Sequence, residues 1–269
     1  MSMLLMLELA RVFTCLVFLL IASLYDIKSR EVPDTLWIIF APIGSVLTFF
    51  SILLSGKNIW AFLIWIVVIA VIFIFSVAFF YLGLFGGADA KALICLAAAM
   101  PLQPNLSPAR FFDKYAIQLF MPPPISTLNN SVLFAALLTI PFLIRNSIDY
   151  MKSKRIFEGL EHEKSFKKAL ALLTGYRVDV SKLRLGRHYY LLMEEFVRHE
   201  DGSLSRKLKL FSRLPADEEW PKEIVPRDFH GKIWVTPGLP FMVFITIGFL
   251  TTIFIGDIIL LSISIAFIH

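Results

Sequence analysis

Leu82-Gly83-Leu84-Phe85-Gly86-Gly87-Ala88-Asp89-Ala90-Lys91 decides how this chain folds. It sets an aspartate and a lysine between a long hydrophobic run and a short one. Several such runs reach the roughly 20 residues that a bilayer crossing needs. An ionisable residue at membrane depth is costly, so Asp89 marks a functional site by default, with a partner to be found. The Gly86-Gly87 pair before it lets backbone and ligand approach closely. The partner is sought where another run ends, and the first ends in Tyr25-Asp26-Ile27-Lys28-Ser29-Arg30.

Composition supports a membrane reading. The mean hydropathy of the 269 residues is +0.73, and charged residues make up 17%, against about 25% in soluble domains. Charge is also unevenly distributed: residues 146 to 234 hold eighteen Lys/Arg and fourteen Asp/Glu. Mixed signs beside a membrane indicate a cytoplasmic, positive-inside segment rather than a nucleic-acid surface, so no nucleic-acid partner is expected. The only cysteines, Cys15 and Cys95, lie in apolar runs, and no disulfide framework follows. The first apolar run has no small-residue cleavage site behind it and reads as a retained anchor.

The expected architecture is an all-α polytopic membrane protein of six transmembrane helices, with a small α+β cytoplasmic domain between helices five and six. The spans fall near residues 4–25, 36–54, 59–84, 90–102, 125–144 and 239–268. Domain boundaries are placed at 1–145, 146–236 and 237–269. In span one, Glu8 and Arg11 share a helical face and read as an interfacial pair with snorkelling side chains. Asp34 is positioned to cap span two, which Pro42 and Gly44 are expected to kink. Within the charged segment, Ser165 to Thr174 has helical spacing closed by Gly175, and Arg177 to Val180 alternates as a strand does. Tyr189–Val197 and Leu204–Leu210 flank a hairpin turn at residues 199 to 202. Glu194 and Glu195 read as solvated, and His162, His188, His199 and His230 lack ligand spacing, so no metal site is expected.

A plasma-membrane topology with both termini outside puts Lys28, Arg30, Lys91, Arg145 and the basic domain inside. Only Lys57, Arg110 and Lys114 are left in outside loops, with Arg11 near that face, as the positive-inside bias requires. Asp26 and Asp89 then face the cytoplasm at matching depth. Two carboxylates sharing a site cannot both ionise cheaply, so one holds a proton while the other acts as base on water. Helix dipoles assign the proton to Asp26, at the end of its helix, and the charge to Asp89, at the start of its own. Two other readings stay open: both aspartates as caps of helix ends, and ion transport through Asp89 and Asp257. Against the second, the sequence shows no repeated halves, and Asp257, deep in span six, reads as a packing or interfacial residue.

At these motifs the sequence resembles the archaeal preflagellin and type IV prepilin peptidases, aspartic membrane peptidases of the Gly-x-Gly-Asp type. The resemblance runs through Asp26 with Arg30-Glu31-Val32-Pro33-Asp34, through Gly86-Gly87-Ala88-Asp89-Ala90-Lys91, Phe142 to Asn146, and Ile233-Trp234-Val235-Thr236-Pro237. Ala88 departs from the family glycine. The resemblance implies catalytic Asp26 and Asp89, and Gly86, Gly87, Lys91 and Asp34 are taken as supporting or substrate-binding positions. Lys91 either orients substrate or neutralises Asp89, or it simply snorkels. The implied substrates are preflagellin or prepilin precursors, cut at the cytoplasmic face. No cofactor or metal is implied. Methyl transfer, found in bacterial relatives, is not expected, for want of paired cysteines or a methyl-donor domain. The acidic stretch Asp217-Glu218-Glu219 is a candidate grip for the basic leader, and non-flagellar pilins are an alternative substrate.

Overall fold

Length decides which apolar runs can cross a bilayer. The computed structural model describes residues 3–56, 59–104, 121–184, 190–198, 204–209, 225–226 and 229–268. Lys57, Arg110, Asp113, Lys114, His188, His199, the 199–202 turn and Asp217-Glu218-Glu219 lie outside the described residues. The apolar runs form helices α1 (Met3–Ser29), α2 (Asp34–Leu54), α3 (Ile59–Tyr81) and α4 (Gly87–Ala99), then α5 (Pro123–Leu137) and α6 (Thr139–Ser153). Four described segments are long and apolar enough to cross: α1, α2, α3 and Pro123–Ser153, which contains α5 and α6. Near the C-terminus, Phe241–Phe254 and Ile258–Ile268 form two helices. Counted together as one span bent by 50°, they bring the total to five.

The expected six-span count therefore does not follow from length and composition. The difference is α4, whose 13 residues extend only about 20 Å at 1.5 Å per residue, short of the roughly 30 Å hydrocarbon thickness. The last expected span is broken because Gly256 takes φ +99°, a conformation that suits glycine. Pro42 and Gly44, in contrast, lie inside an unbroken α2.

Two units divide the chain, Met1–Ala135 with Pro240–His269, and Ala136–Leu239. In the first, α4 is enclosed by α1, α2, α3 and the helix Phe241–Phe254, now α9. Its small side chains Ala92, Ala97 and Ala99 are fully buried, which allows the close helix approach that membrane packing uses in place of a hydrophobic drive. One core joins Cys15, Leu19 and Ala22 of α1, Trp37 and Phe40 of α2, Cys95 and Leu96 of α4, and Ile245 and Phe249 of α9. The outward faces stay apolar, with Ile38, Phe49, Trp60, Ile66 and Ile74 exposed. That is the surface a bilayer solvates.

The second unit holds α6, α7 (Ser165–Thr174), α8 (Val180–Arg184) and five strands. These are β1 (Tyr176–Asp179), β2 (Tyr190–Leu192), β3 (Glu194–Arg198), β4 (Leu204–Leu208) and β5 (Lys232–Pro237). β5 lies between β1 and β2 in an antiparallel sheet, and β3 pairs with β4 as the hairpin. Side chains alternate along a strand. Ile233 and Val235 therefore enter one core with Val178 and Leu192, and Trp234 enters another with Ile156 and Met193. The Trp234 stretch is thus the covered central strand of this sheet. Glu194 corrects the solvated reading: it is 2% exposed, pairs with Arg206 at 2.7 and 2.9 Å, and accepts the Trp234 N–H at 2.7 Å. Glu195, its neighbour, is exposed as expected. α6 runs through residue 145 to Ser153, past the expected end of span five.

Candidate active site

Asp26 sits in the last turn of α1. Its Oδ2 accepts the Met242 N–H at 3.1 Å, one of the first-turn donors of α9 that have no partner inside their own helix. Arg30 leaves the helix in a left-handed turn at φ +61°, with its Nη1 3.9 Å from Asp26 Oδ1. Asp89 is the third residue of α4. Its Oδ2 accepts the Gly86 N–H at 2.9 Å, the reciprocal half of a capping box. Asp89 is only 9% exposed, and Asp26 lies within electrostatic reach of it.

Both aspartates therefore cap helix N-termini, as one of the open readings has it, but each does so with Oδ2 alone. Among the described residues no donor reaches Asp89 Oδ1, and Asp26 Oδ1 faces only the distant Arg30 guanidinium. One oxygen of each carboxylate remains for water or substrate. The dipole premise also changes. Asp26 ends its own helix, but its carboxylate meets the positive end of α9, so both groups sit at a helix N-terminus.

Gly86 acts by size rather than by flexibility. Gly86 has φ −73°, open to any residue, but a Cβ there would lie 3.1 Å from Asp89 Oδ2. At Gly87 a Cβ would meet only Phe80, at 3.8 Å. The positive φ of this loop belongs to Gly83, at +72°.

Lys91 does not pair with Asp89. Its Nζ lies 2.5 Å from Asp34 Oδ1, joining the second turn of α4 to the first turn of α2. Asp34 is the first helical residue, behind Pro33, and makes no side-chain capping bond, so the capping expectation for it fails.

Asp257 is 1% exposed and sits in the break after α9. Asn129 Nδ2 donates to its Oδ2 at 2.7 Å, and the Leu260 N–H donates to its Oδ1 at 3.1 Å. Asn130 donates to Gly256 O at 2.9 Å and accepts the Ile258 N–H at 3.0 Å. The backbone groups freed by the break are thus met by Asp257 and Asn130, which is a packing role. Met242 and Asp257 are separated by roughly 22 Å of helical rise, which keeps Asp257 away from the aspartate pair. His162 and His230 are exposed, and no three His, Cys, Asp or Glu side chains gather among the described residues.

Sequence reasoning overlooked the Met242 amide, which belongs to a helix 216 residues away in the chain and leaves no local signal. Arg30 was legible, since i and i+4 share a helical face.

Comparison with known proteins matches the model of the type IV leader peptidase family to residues 13–141. The model described as Archaeal Peptidase A24 C-terminus Type II matches residues 167–258. The chain is 30% identical over 248 residues to the preflagellin peptidase of Methanocaldococcus jannaschii, covering 89% of this chain and 91% of that relative. It is 27% identical to the preflagellin peptidase of Methanococcus voltae, covering 90% and 93%. To that of Methanococcus maripaludis it is 28% identical, again covering 90% and 93%.

Proposed function

The chain belongs to the type IV leader peptidase family, and on that premise we propose that it removes the leader peptide from a preflagellin, using Asp26 and Asp89 to activate water. The observation that carries the reading is the pair itself: two carboxylates from α1 and α4, within electrostatic reach, each with an oxygen left over from capping.

One member holds a proton and the other is ionised. The Met242 N–H and the Arg30 guanidinium both stabilise charge on Asp26, so Asp26 is the base. Asp89 is enclosed, has one amide and no cation, since Lys91 is held by Asp34, and carries the proton on Oδ1. This reverses the assignment drawn from helix dipoles alone. Asp26 takes a proton from water as the water oxygen attacks the scissile carbonyl carbon, and Asp89 hydrogen-bonds the carbonyl oxygen. Collapse of the tetrahedral intermediate breaks the C–N bond, and the leaving nitrogen takes a proton from the pair. A coupled pair titrates jointly, so a pH-rate profile reports both groups together.

In this reading α4 counts as a sixth, short pass. The pair and the 146–236 domain then face the cytoplasm with both termini outside, as the charge distribution favours. Asp34, exposed and paired with Lys91 two residues beyond Asp89, is the carboxylate that a basic leader meets, and Lys91 orients it.

Membranes carrying wild type, Asp26→Asn, Asp89→Asn, Asp34→Asn or Asp257→Asn protein are mixed with a preflagellin and, separately, a non-flagellar prepilin. Cleavage of preflagellin is expected to vanish in the first two variants, to persist with a raised KM in Asp34→Asn, and to be unchanged in Asp257→Asn. Wild type inert on both substrates, or an active Asp89→Asn, overturns the reading. Cleavage of the prepilin alone moves the substrate to the pilins.

A further inference from the structure

The last carbonyls of any helix lack partners within it, and in hydrocarbon no water is available to supply them. α4 is too short to carry its C-terminus across to the far interface, so its end needs donors from its neighbours. Three helices provide them. Arg11 Nε of α1 donates to Ala99 O at 3.1 Å, Thr48 Oγ1 of α2 donates to the same oxygen at 2.7 Å, and Trp65 Nε1 of α3 donates to Ala98 O at 2.9 Å. A cation at a helix C-terminus also complements the dipole, and a charged donor makes the stronger bond.

Arg11 is itself held. Its Nη1 donates to Glu8 Oε1 at 2.9 Å and to Ser51 Oγ at 3.2 Å, and Ser51 donates to the same Glu8 oxygen at 2.5 Å. Glu8 and Arg11 are each 5% exposed, which overturns the snorkelling reading. Glu8 Oε2 is buried and, among the described residues, unpartnered. It borders a cavity of about 20 Å³ lined by Thr48, Ser55 and Gln103, room for one water. A buried ion pair is a poor way to gain stability, since apolar residues would serve as well or better. Its geometry is the more informative property.

We propose that Arg11, supported by Glu8, Thr48 and Trp65, is the positioning residue for Asp89. It anchors the far end of α4 and so sets the axial place of the aspartate at the near end. Asp89 and Ala99 are joined by about 15 Å of continuous helix, so a slip at one end is a slip at the other. The proposal rests on Asp89 being catalytic.

The test uses the full-length protein in membranes and two readouts. For cleavage of preflagellin, Arg11→Ala lowers kcat about 10- to 100-fold per folded molecule, the range expected for a misplacement of up to 1 Å, with KM unchanged. Arg11→Lys, which keeps a cationic donor, restores part of the loss. Thr48→Val, close in shape, removes one donor and gives a smaller fall in kcat of the same kind. It carries the test if Arg11→Ala does not fold. The second readout needs no activity: in a Cys15→Ser background, alkylation of buried Cys95 on α4 by N-ethylmaleimide speeds up when Arg11 is replaced.

The proposal is overturned if kcat per folded molecule is unchanged, if KM alone moves, or if Lys fails to rescue while Cys95 stays protected. An active Asp89→Asn marks failure of the catalytic reading itself. An inactive Asp89→Asn beside a fully active Arg11→Ala marks failure of the positioning proposal alone.

Discussion

Gly86 and Gly87 are neighbours with different demands. A methyl group at Gly86 would press on Asp89 Oδ2 at 3.1 Å, whereas one at Gly87 meets a flexible ring edge at ordinary contact distance. Gly86→Ala is therefore expected to turn the Asp89 carboxylate off its amide and cut cleavage about tenfold or more, and Gly87→Ala to cost much less. Rates of the two variants on one preflagellin check this, and equal losses would refute it. Arg11 shows how a residue is misread from sequence. Its spacing from Glu8 is legible, but whether the pair faces lipid headgroups or the protein interior depends on Thr48, Ser51 and Ala99, which come from other helices.

At the scale of elements, α2 and α4 meet where neither has a large side chain. A Cβ on Gly44 would lie 2.5 Å from Ala99 Cβ. Gly44→Val is expected to push α4 away, costing about 1–3 kcal/mol by overpacking, read as faster thermal inactivation in detergent. Activity should fall further than stability, because the displaced helix carries Asp89. The hairpin of the second unit depends on Glu194, which joins β3 to β4 through Arg206 and to β5 through the Trp234 amide. Glu194→Ala leaves Arg206 without its buried counter-charge. The expected loss is about 3–5 kcal/mol, measured by limited proteolysis of residues 136–239 across a urea series.

At the scale of the whole molecule, carboxyls of the second unit tie its stability to pH. Burial alone would push the Glu163 carboxyl up. The Lys167 ammonium at 2.9 Å and the Leu208 N–H at 2.7 Å outweigh it and hold the group below its usual 4.5. Asp179 is held below its usual 3.8, chiefly by the Ser181 hydroxyl and amide. A carboxyl depressed on folding contributes stability above its unfolded value and loses it as pH falls through the folded one. Unit two is expected to hold its stability at neutral pH and weaken progressively below about pH 4.5. Glu163→Gln should lower stability at pH 7 and flatten that acid slope, with proteolysis midpoints from pH 7 to 3 as the measurement.

Hydropathy and charge by themselves determined that the protein has the apolar runs of a membrane protein, that a charge-rich segment lies between two of them, and that Asp26 and Asp89 are the carboxylates to examine. These are properties of composition and of local spacing, and α7, the hairpin strands and the start of α4 were legible for the same reason. Only the tertiary structure decided what each charged group meets. It gave Lys91 to Asp34, buried Glu8, Arg11 and Glu194, broke the last span at Gly256, and turned Trp234 into the middle of a sheet. A side chain's partner is set by packing between elements far apart in the chain, and no periodicity within one element records it.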